Sequence, residues 1–325
     1  MKILVTGGSG FIGMNMVRFF LEKNNVTKVL ATYCNKQPKF EHHKLDWVQA
    51  DLTDPNSHEG LYEGINTVIM CAAITSGAKN IINNPSIFVE NNLLINHSTI
   101  KYSALSNVKK VIFLSCSIMY PPGENFCKEE DVVLSKIDPR YVGGAHMKLY
   151  SEGLCRFFSI NSQTQFIAIR HSNCYGPYDK FDPDLSHVFA ATIRKVFYEK
   201  SEIIIWGQGK EKRDFLFVSD LVSLADNYVS QNFEEKYYLV NAGYGMPISI
   251  EELNRKVIAI MKKNYLNVSF DTSQPSIPIS IAIDSKKALQ TFGWKAETNI
   301  DVGIKRTIDW FASQNNIKGE KTLAE

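Results

Sequence analysis

Along the first 170 residues, short apolar runs alternate with longer stretches in which apolar positions recur at helical spacing. Lys2–Thr6, Val29–Tyr33, Trp47–Ala50, Thr67–Ala72, Val111–Ser115 and Gln165–Arg170 have the length and the β-branched content of strands. Between them, Met16, Phe19 and Phe20 recur within 12–22, and longer helical patterns occupy about 86–107 and 145–161. Strands alternating with helices predict a parallel, doubly wound sheet. After Arg170 the texture changes. Pro177, Pro183, several aspartates and aromatics predict irregular structure. A strand at 202–206, a segment at 214–218, helices near 219–230 and 250–263, a strand near 267–270 and a closing helix near 301–315 follow. Ile304, Ile308 and Phe311 form the apolar stripe of that last helix. The expected fold class is α/β: a Rossmann-type doubly wound parallel sheet over about 1–170, with a smaller α/β substrate-binding domain over 171–325. Residues 210–245 are expected to return to the first domain. The Lys-rich segment 318–322 reads as a frayed end.

Composition adds limits to this picture. The 325 residues are 44% hydrophobic and 22% charged, enough for a sizeable core. A net charge of +2 gives no reason to expect a nucleic-acid or membrane surface. No apolar run reaches the ~18 residues of a membrane span. The N-terminal segment lacks a signal-peptide pattern. Cys34, Cys71, Cys116, Cys127, Cys155 and Cys174 form no CxxC pair and no zinc-like spacing. Reduced thiols, a cytoplasmic location and no metal are expected.

The sharpest signal is Gly7-Gly8-Ser9-Gly10-Phe11-Ile12-Gly13, directly after a strand and opening a helix. Glycines there permit a tight turn and let backbone amides approach a pyrophosphate at the helix N-terminus. The expected dinucleotide contacts are Gly7, Ser9, Gly10, Phe11, Ile12 and Gly13, with Asp51 and Leu52 near an adenine and Ala72 and Ala73 as a floor. The second strand ends in Tyr33-Cys34-Asn35-Lys36, without the acid that holds an NAD ribose. Asn35 and Lys36 therefore favour NADP, Lys36 meeting a 2′-phosphate, while NAD remains the alternative if Lys36 is a solvated surface charge.

In order along the chain stand GGSGFIG, ADLTD at 50–54, CAA at 71–73, a Ser/Tyr-Pro segment at 115–121 and RxxNxYGP at 170–177. Together they resemble the extended short-chain dehydrogenase/reductase family of nucleotide-sugar epimerases, dehydratases and reductases. Asn173–Phe181, Ser186-His187-Val188, Trp206-Gly207-Gln208-Gly209 and Arg213-Asp214-Phe215 are most similar to its GDP-L-fucose synthase branch. The resemblance implies a nucleotide-diphospho-sugar substrate, a 4-keto sugar reduced with NADPH, His187 as an epimerase acid/base, and a homodimer built on the helices near 86–107 and 145–161. It implies that Lys148 is the family's active-site lysine. Asn173, Lys195, Trp206 and Arg213 are implied as substrate contacts; cationic side chains suit a diphosphate because charge-assisted hydrogen bonds are strong. Asn91 and Asn96 fall where the family uses an asparagine to support the backbone behind the catalytic strand.

The chain departs from the family where the chemistry sits. The tyrosine of YxxxK would be residue 144, which is Gly144. The family serine is Cys116, flanked by Ser115 and Ser117, and the family epimerase cysteine is Ile118. Three readings follow. Tyr141 supplies the phenol, which requires the helix to begin late. His146 or Cys116 substitutes as the proton donor. Or redox turnover is lost and the protein binds without reducing. Loss of the cysteine makes reduction or single-centre epimerisation the expected chemistry. Ser117-Ile118 in place of an acidic pair argues against a 4,6-dehydratase. His171, His42, His43, His58 and His97 read as structural.

Overall fold

The computed structural model describes residues 1–35, 37–75, 86–123, 125–183, 185–274 and 276–317. Seven strands make one sheet: β1 (Lys2–Thr6), β2 (Lys28–Tyr33), β3 (Leu45–Gln49), β4 (Thr67–Met70), β5 (Lys110–Cys116), β6 (Gln165–His171) and β7 (Tyr237–Ala242). Their order is β3-β2-β1-β4-β5-β6-β7, and every pairing is parallel. Alternate residues of each strand serve opposite cores, as a sheet covered on both faces requires. Ile3 and Val5 of β1 join Phe20, Leu221, Leu224 and Phe292 on one face. Leu4 joins Val68, Ile100, Val111 and Phe113 on the other. The first face is covered by α1 (Phe11–Leu21), α5 (Val218–Ser230) and α7 (Lys286–Phe292), and the second by α2 (Ser86–Leu105) and α3 (Val142–Asn161).

A further core holds Phe189, Ile193, Ile203, Ile205, Phe215, Leu253, Val257, Ile304 and Phe311. It gathers α4 (Val188–Tyr198), α6 (Ile250–Ile260), α8 (Ile300–Ile317) and the parallel pair 202–206 with 267–271. The region expected to be irregular after Arg170 therefore contains a regular helix, α4, whose Phe189, Ile193 and Val196 stripe is buried. The chain then returns to the sheet: α5 packs beside α1, and β7 adds a seventh parallel strand against β6. The Lys-rich segment 318–322 lies outside the described residues.

The strand order reverses between β1 and β4. The carboxyl ends of the strands open a crevice there, the place where doubly wound sheets bind ligands. The glycine turn lies at the end of β1, and the ends of β5 and β6 lie beyond β4 on the same edge of the sheet.

Candidate active site

The glycine turn is shaped by close backbone approach. Gly7 has φ +63°, and a Cβ there would fall 2.5 Å from the Ala72 Cα. A Cβ on Gly8 would lie 2.7 Å from the Ala31 Cβ. The Gly7 amide donates to Thr32 Oγ1 (2.8 Å) and the Gly10 amide to the Gly7 carbonyl (2.9 Å). These contacts press the turn against β2 and β4. Ser9 and Gly10 stay exposed, and the first-turn amides of Phe11, Ile12 and Gly13 have no acceptor within the helix. A diphosphate fits that cradle, because the space a side chain would occupy is bare backbone carrying the positive end of α1.

Around the turn, Cys34 and Asn35 are exposed at the end of β2; Lys36 lies outside the described residues. Asp51 is exposed, and its carboxylate accepts from the Thr53 amide (3.0 Å) and hydroxyl (2.7 Å), which hold its pKa below the usual range. Leu52 turns its side chain into the core. Ala72 abuts Gly7, and Ala73 is exposed. Between the two expected asparagines, Asn92 holds the backbone that follows β4. Asn92 accepts from the Ile74 amide (2.8 Å) and donates to the Ile74 and Phe88 carbonyls (2.9 and 2.7 Å). Asn96 instead ties α2 to α3, donating to Met147 Sδ and Ser151 Oγ, both at 3.2 Å.

Further along the edge, Lys148 reaches from α3 to the Leu114 carbonyl (2.7 Å), with its ammonium 4.8 Å from the Phe113 ring centre. Burial lowers its pKa, while Cys116 and Glu152 oppose that shift. Cys116 ends β5; burial raises its thiol above the ordinary range, which keeps it protonated. Ser117 and Ile118 are half-buried after it. A Cβ on Gly144 would meet Ile118 Cδ1 at 3.2 Å. The positions of the missing tyrosine and the missing cysteine thus face each other, and Ile118 lies against the helix where the tyrosine side chain would emerge.

The structure places both expected proton-donor side chains. Helix α3 begins at Val142, directly after Tyr141, so the late start required for Tyr141 is absent. Tyr141 lies two turns, about 10 Å of helix rise, from Lys148. It packs with Met119, Ile137 and Ala145 in one cluster with Cys116 and Ile118, and its raised pKa comes first from burial, with Arg213 and Arg140 opposing. His146 is exposed. It sits about 200° around α3 from both Gly144 and Lys148, because each residue advances about 100°. It belongs to the outward stripe with Val142, Tyr150, Phe157 and Ile160, on the far side of the helix from the centre.

His171, read as structural from the sequence, lies at the centre of the strand ends. His171 ends β6 directly beside Cys116 in the sheet register. Its Nδ1 is 2.7 Å from the Ser172 carbonyl, and burial lowers its pKa to about 4, with Lys148 and His187 contributing in the same direction. His187, at the N-cap of α4, is accessible from solvent yet sits deep enough for burial, and then Lys180, to lower its pKa. Lys148, His171 and His187 thus form one electrostatic group.

Behind this group lies a buried polar network. Arg170 Nε and one terminal nitrogen donate to Glu152 (2.9 and 2.7 Å), and the other terminal nitrogen donates to Tyr120 Oη (3.0 Å) and the Glu129 carbonyl (2.9 Å). Ser115 donates to Glu152 (2.6 Å) and Tyr120 to Asn241 Oδ1 (2.6 Å). Ser115 and Arg170 immediately precede Cys116 and His171, so the network sets where both ends point.

After the turn at 207–209, Arg213 donates to the Ile277 carbonyl (2.7 Å) and faces Tyr141. Lys195 donates to the Ile204 carbonyl (3.1 Å) with its ammonium 4.8 Å from the ring centre of Trp206, which is itself exposed. Asn173 is exposed, and its amide nitrogen is held by the Asp214 carbonyl (3.1 Å). A cavity of about 410 Å³ lined by Asp179, Phe181, Arg194, Tyr198 and Trp310 is separate: none of the residues above lines it. Among the described residues no cluster of His, Cys, Asp and Glu could hold a metal ion, and no helix is long and apolar enough to cross a membrane.

Known proteins are similar to this chain along nearly its whole length. The chain is 27% identical to GDP-L-colitose synthase of Yersinia pseudotuberculosis, over 97% of this chain and 99% of that protein. It is 29% identical to a GDP-L-fucose synthase of Sinorhizobium fredii, over 96% of each. A crystal structure of a GDP-6-OMe-4-keto-L-xylo-heptose reductase from C. jejuni superposes with a TM-score of 0.83 at 23% identity, covering 97% of this chain and 98% of that one, and shares the fold. The sequence profile of the NAD dependent epimerase/dehydratase family matches residues 3–243. With its glycine cradle at the switch point and its lysine at the end of β5, this chain belongs to the NAD dependent epimerase/dehydratase family.

Proposed function

We propose that this protein is a nucleotide-sugar oxidoreductase that reduces the C4 ketone of a nucleotide-diphospho-4-keto sugar, a GDP-4-keto-6-deoxy sugar being the first choice. What supports this is Lys148 on the Leu114 carbonyl beside Cys116 and His171, at the same strand ends as the glycine cradle, with His187 acting on His171 and Arg213 facing Tyr141. The names of the relatives support the sugar class. When bound, the reduced nicotinamide supplies the hydride. Gly7, Gly10 and the first turn of α1 would hold its pyrophosphate, and Asn35 with Lys36 favours NADP over NAD. Lys148 orders the crest by bonding the Leu114 carbonyl and places a cation beside the reacting oxygen. Arg213 and Lys195 would take the diphosphate, with Trp206 and Asn173 completing the sugar-nucleotide side. Because Ile118 replaces one of the two epimerisation groups, the reading is reduction with at most one inverted centre, through His187.

The test mixes the protein with NADPH or NADH and GDP-4-keto-6-deoxymannose and follows the reduced-nicotinamide absorbance. Oxidation of NADPH with retention at C3 or C5 by NMR is expected. Lys148→Met should lower kcat by about 10²–10⁴-fold while the fold is retained. The contrary result is cofactor binding without oxidation of any 4-keto sugar nucleotide in a panel. That would favour the second reading, a nucleotide-sugar-binding protein without turnover, for which bare Gly144 is the supporting observation.

The same reading places the protein in the cytoplasm, divides it near residue 170 and makes it a homodimer. Val142, Tyr150, Phe157 and Ile160 on α3, with Leu94 and Leu105 on α2, are large exposed apolar side chains on the helix pair the family uses for dimers. Sedimentation should give about twice the 36.8 kDa chain mass. Phe157→Glu with Ile160→Glu should give the monomer, since a buried unpaired charge opposes association.

A further inference from the structure

We propose that His171 exchanges the proton at the sugar's C4 oxygen, doing the work of the tyrosine that Gly144 lacks; this rests on the reductase reading above. The residue ends β6 in register with Cys116, at the crest where the reacting sugar must lie. Its ring is half-buried. The Nδ1 contact of 2.7 Å with the Ser172 carbonyl fixes the tautomer, because a carbonyl oxygen only accepts: Nδ1 carries hydrogen. Nε2 is then the free functional atom, and no partner for it occurs among the described residues. The titratable groups that face it are Lys148 from α3, His187 from the N-cap of α4 and Cys116 from β5, with Lys180 behind His187.

The other donors fit less well. His146 lies on the far face of α3. Tyr141 reaches the Cys116 cluster and faces Arg213, but it stands two helical turns from Lys148 and burial raises its phenol first of all. The Lys148 ammonium is committed to the Leu114 carbonyl, and the Cys116 thiol is held un-ionised by burial. In reduction, the Nε2–H bond of the imidazolium breaks and an O–H bond forms at the C4 oxygen as C4 receives the hydride. The neutral ring then regains a proton from water at its exposed edge. In the reverse direction, neutral Nε2 takes the carbinol proton. Burial first, with Lys148 and His187 acting in the same direction, holds the imidazolium to a small fraction at pH 7, so the reductive rate should climb as pH falls.

The test uses His171→Gln and His171→Ala in the full chain. We expect kcat for NADPH oxidation to fall about 10²–10⁴-fold, with NADPH affinity within about threefold of wild type. Wild-type kcat should fall about tenfold per pH unit between roughly pH 6 and 8, and His171→Gln should be flat over that window. Tyr141→Phe should keep the slope. A second readout needs no turnover: in long-range ¹H–¹⁵N NMR of the wild-type protein, the His171 Nε2 resonance should move with NADP plus GDP-L-fucose and stay in place with NADP plus GDP. A His171→Gln enzyme that keeps both rate and slope overturns the proposal, as does a slope lost in Tyr141→Phe instead, or an Nε2 resonance unmoved by GDP-L-fucose that binds. If the wild-type protein oxidises no NADPH and binds neither probe, the reductase reading falls with it; turnover that is indifferent to residue 171 removes only the role of His171.

Discussion

Glu152→Ala is expected to lower the stability of the fold by about 3–5 kcal/mol, the range for removing one partner of a buried ion pair. Glu152 and Arg170 are both almost completely buried, and their bond is bidentate. The guanidinium also serves Tyr120 and the Glu129 carbonyl, and Ser115 rests on Glu152. Truncating the carboxylate leaves the guanidinium without its counter-charge in the core, where no water replaces it cheaply. Urea unfolding would read the change in midpoint. Glu152→Gln, which keeps the shape and one acceptor, should lose less, and a paired Glu152→Leu, Arg170→Met change should recover much of the loss because both desolvation terms disappear. A Glu152→Ala loss below about 1 kcal/mol would mean that the core admits water to Arg170. The same change should disturb the site, since Ser115 and Arg170 are the residues that immediately precede Cys116 and His171.

Gly7→Ala is expected to weaken NADPH binding by at least about 100-fold, equivalent to about 2.7 kcal/mol. Two effects add. An alanine in the left-handed region costs about 1–2 kcal/mol, and its Cβ would lie 2.5 Å from the Ala72 Cα. That contact is with the Ala72 backbone, which no side-chain rotation can move, so relief requires moving the β1–α1 turn away from β4. That motion opens the cradle and breaks the Gly7 amide bond to Thr32. Gly60→Ala is the control: Gly60 also has positive φ (+70°), yet a Cβ there meets nothing within 4 Å. It should cost stability by about 1 kcal/mol and leave cofactor affinity unchanged. Fluorescence titration with NADPH, alongside thermal melts, separates the two. Equal affinity losses in both variants would show that backbone conformation, and not the approach to Ala72, controls the cradle.

The parts of this molecule that were legible share one property: their signal is local. A strand covered on both faces is apolar at most of its positions, so β1, β4, β5 and β6 stand out as short runs. The glycine turn stands out because only Gly satisfies both φ +63° and contact with Ala72. Where the signal was divided among distant segments, the reading slipped. Helix α4 was taken for irregular chain because Pro177, Pro183 and the aspartates precede it, although Phe189, Ile193 and Val196 mark a buried face once Ile203 and Val257 are there to cover it. Asn92, one position from the expected Asn91, turns to the Ile74 backbone, because a single helical residue shifts the facing by about 100°.

By itself, the sequence determined the doubly wound class, the cradle at the end of β1, Lys148 on its helix and the absence of a tyrosine at 144, since each depends on neighbours within a turn or a strand. Tertiary structure alone decided which side chains meet. It brought His171 beside Cys116 by pairing β6 with β5, turned His146 to the outer face of α3, and laid Ile118 against Gly144. It also decided the ionisation of the centre. The pKa of a histidine is set by burial and by neighbouring charges, and those at His171 come from Lys148 and His187, residues far from it in the chain.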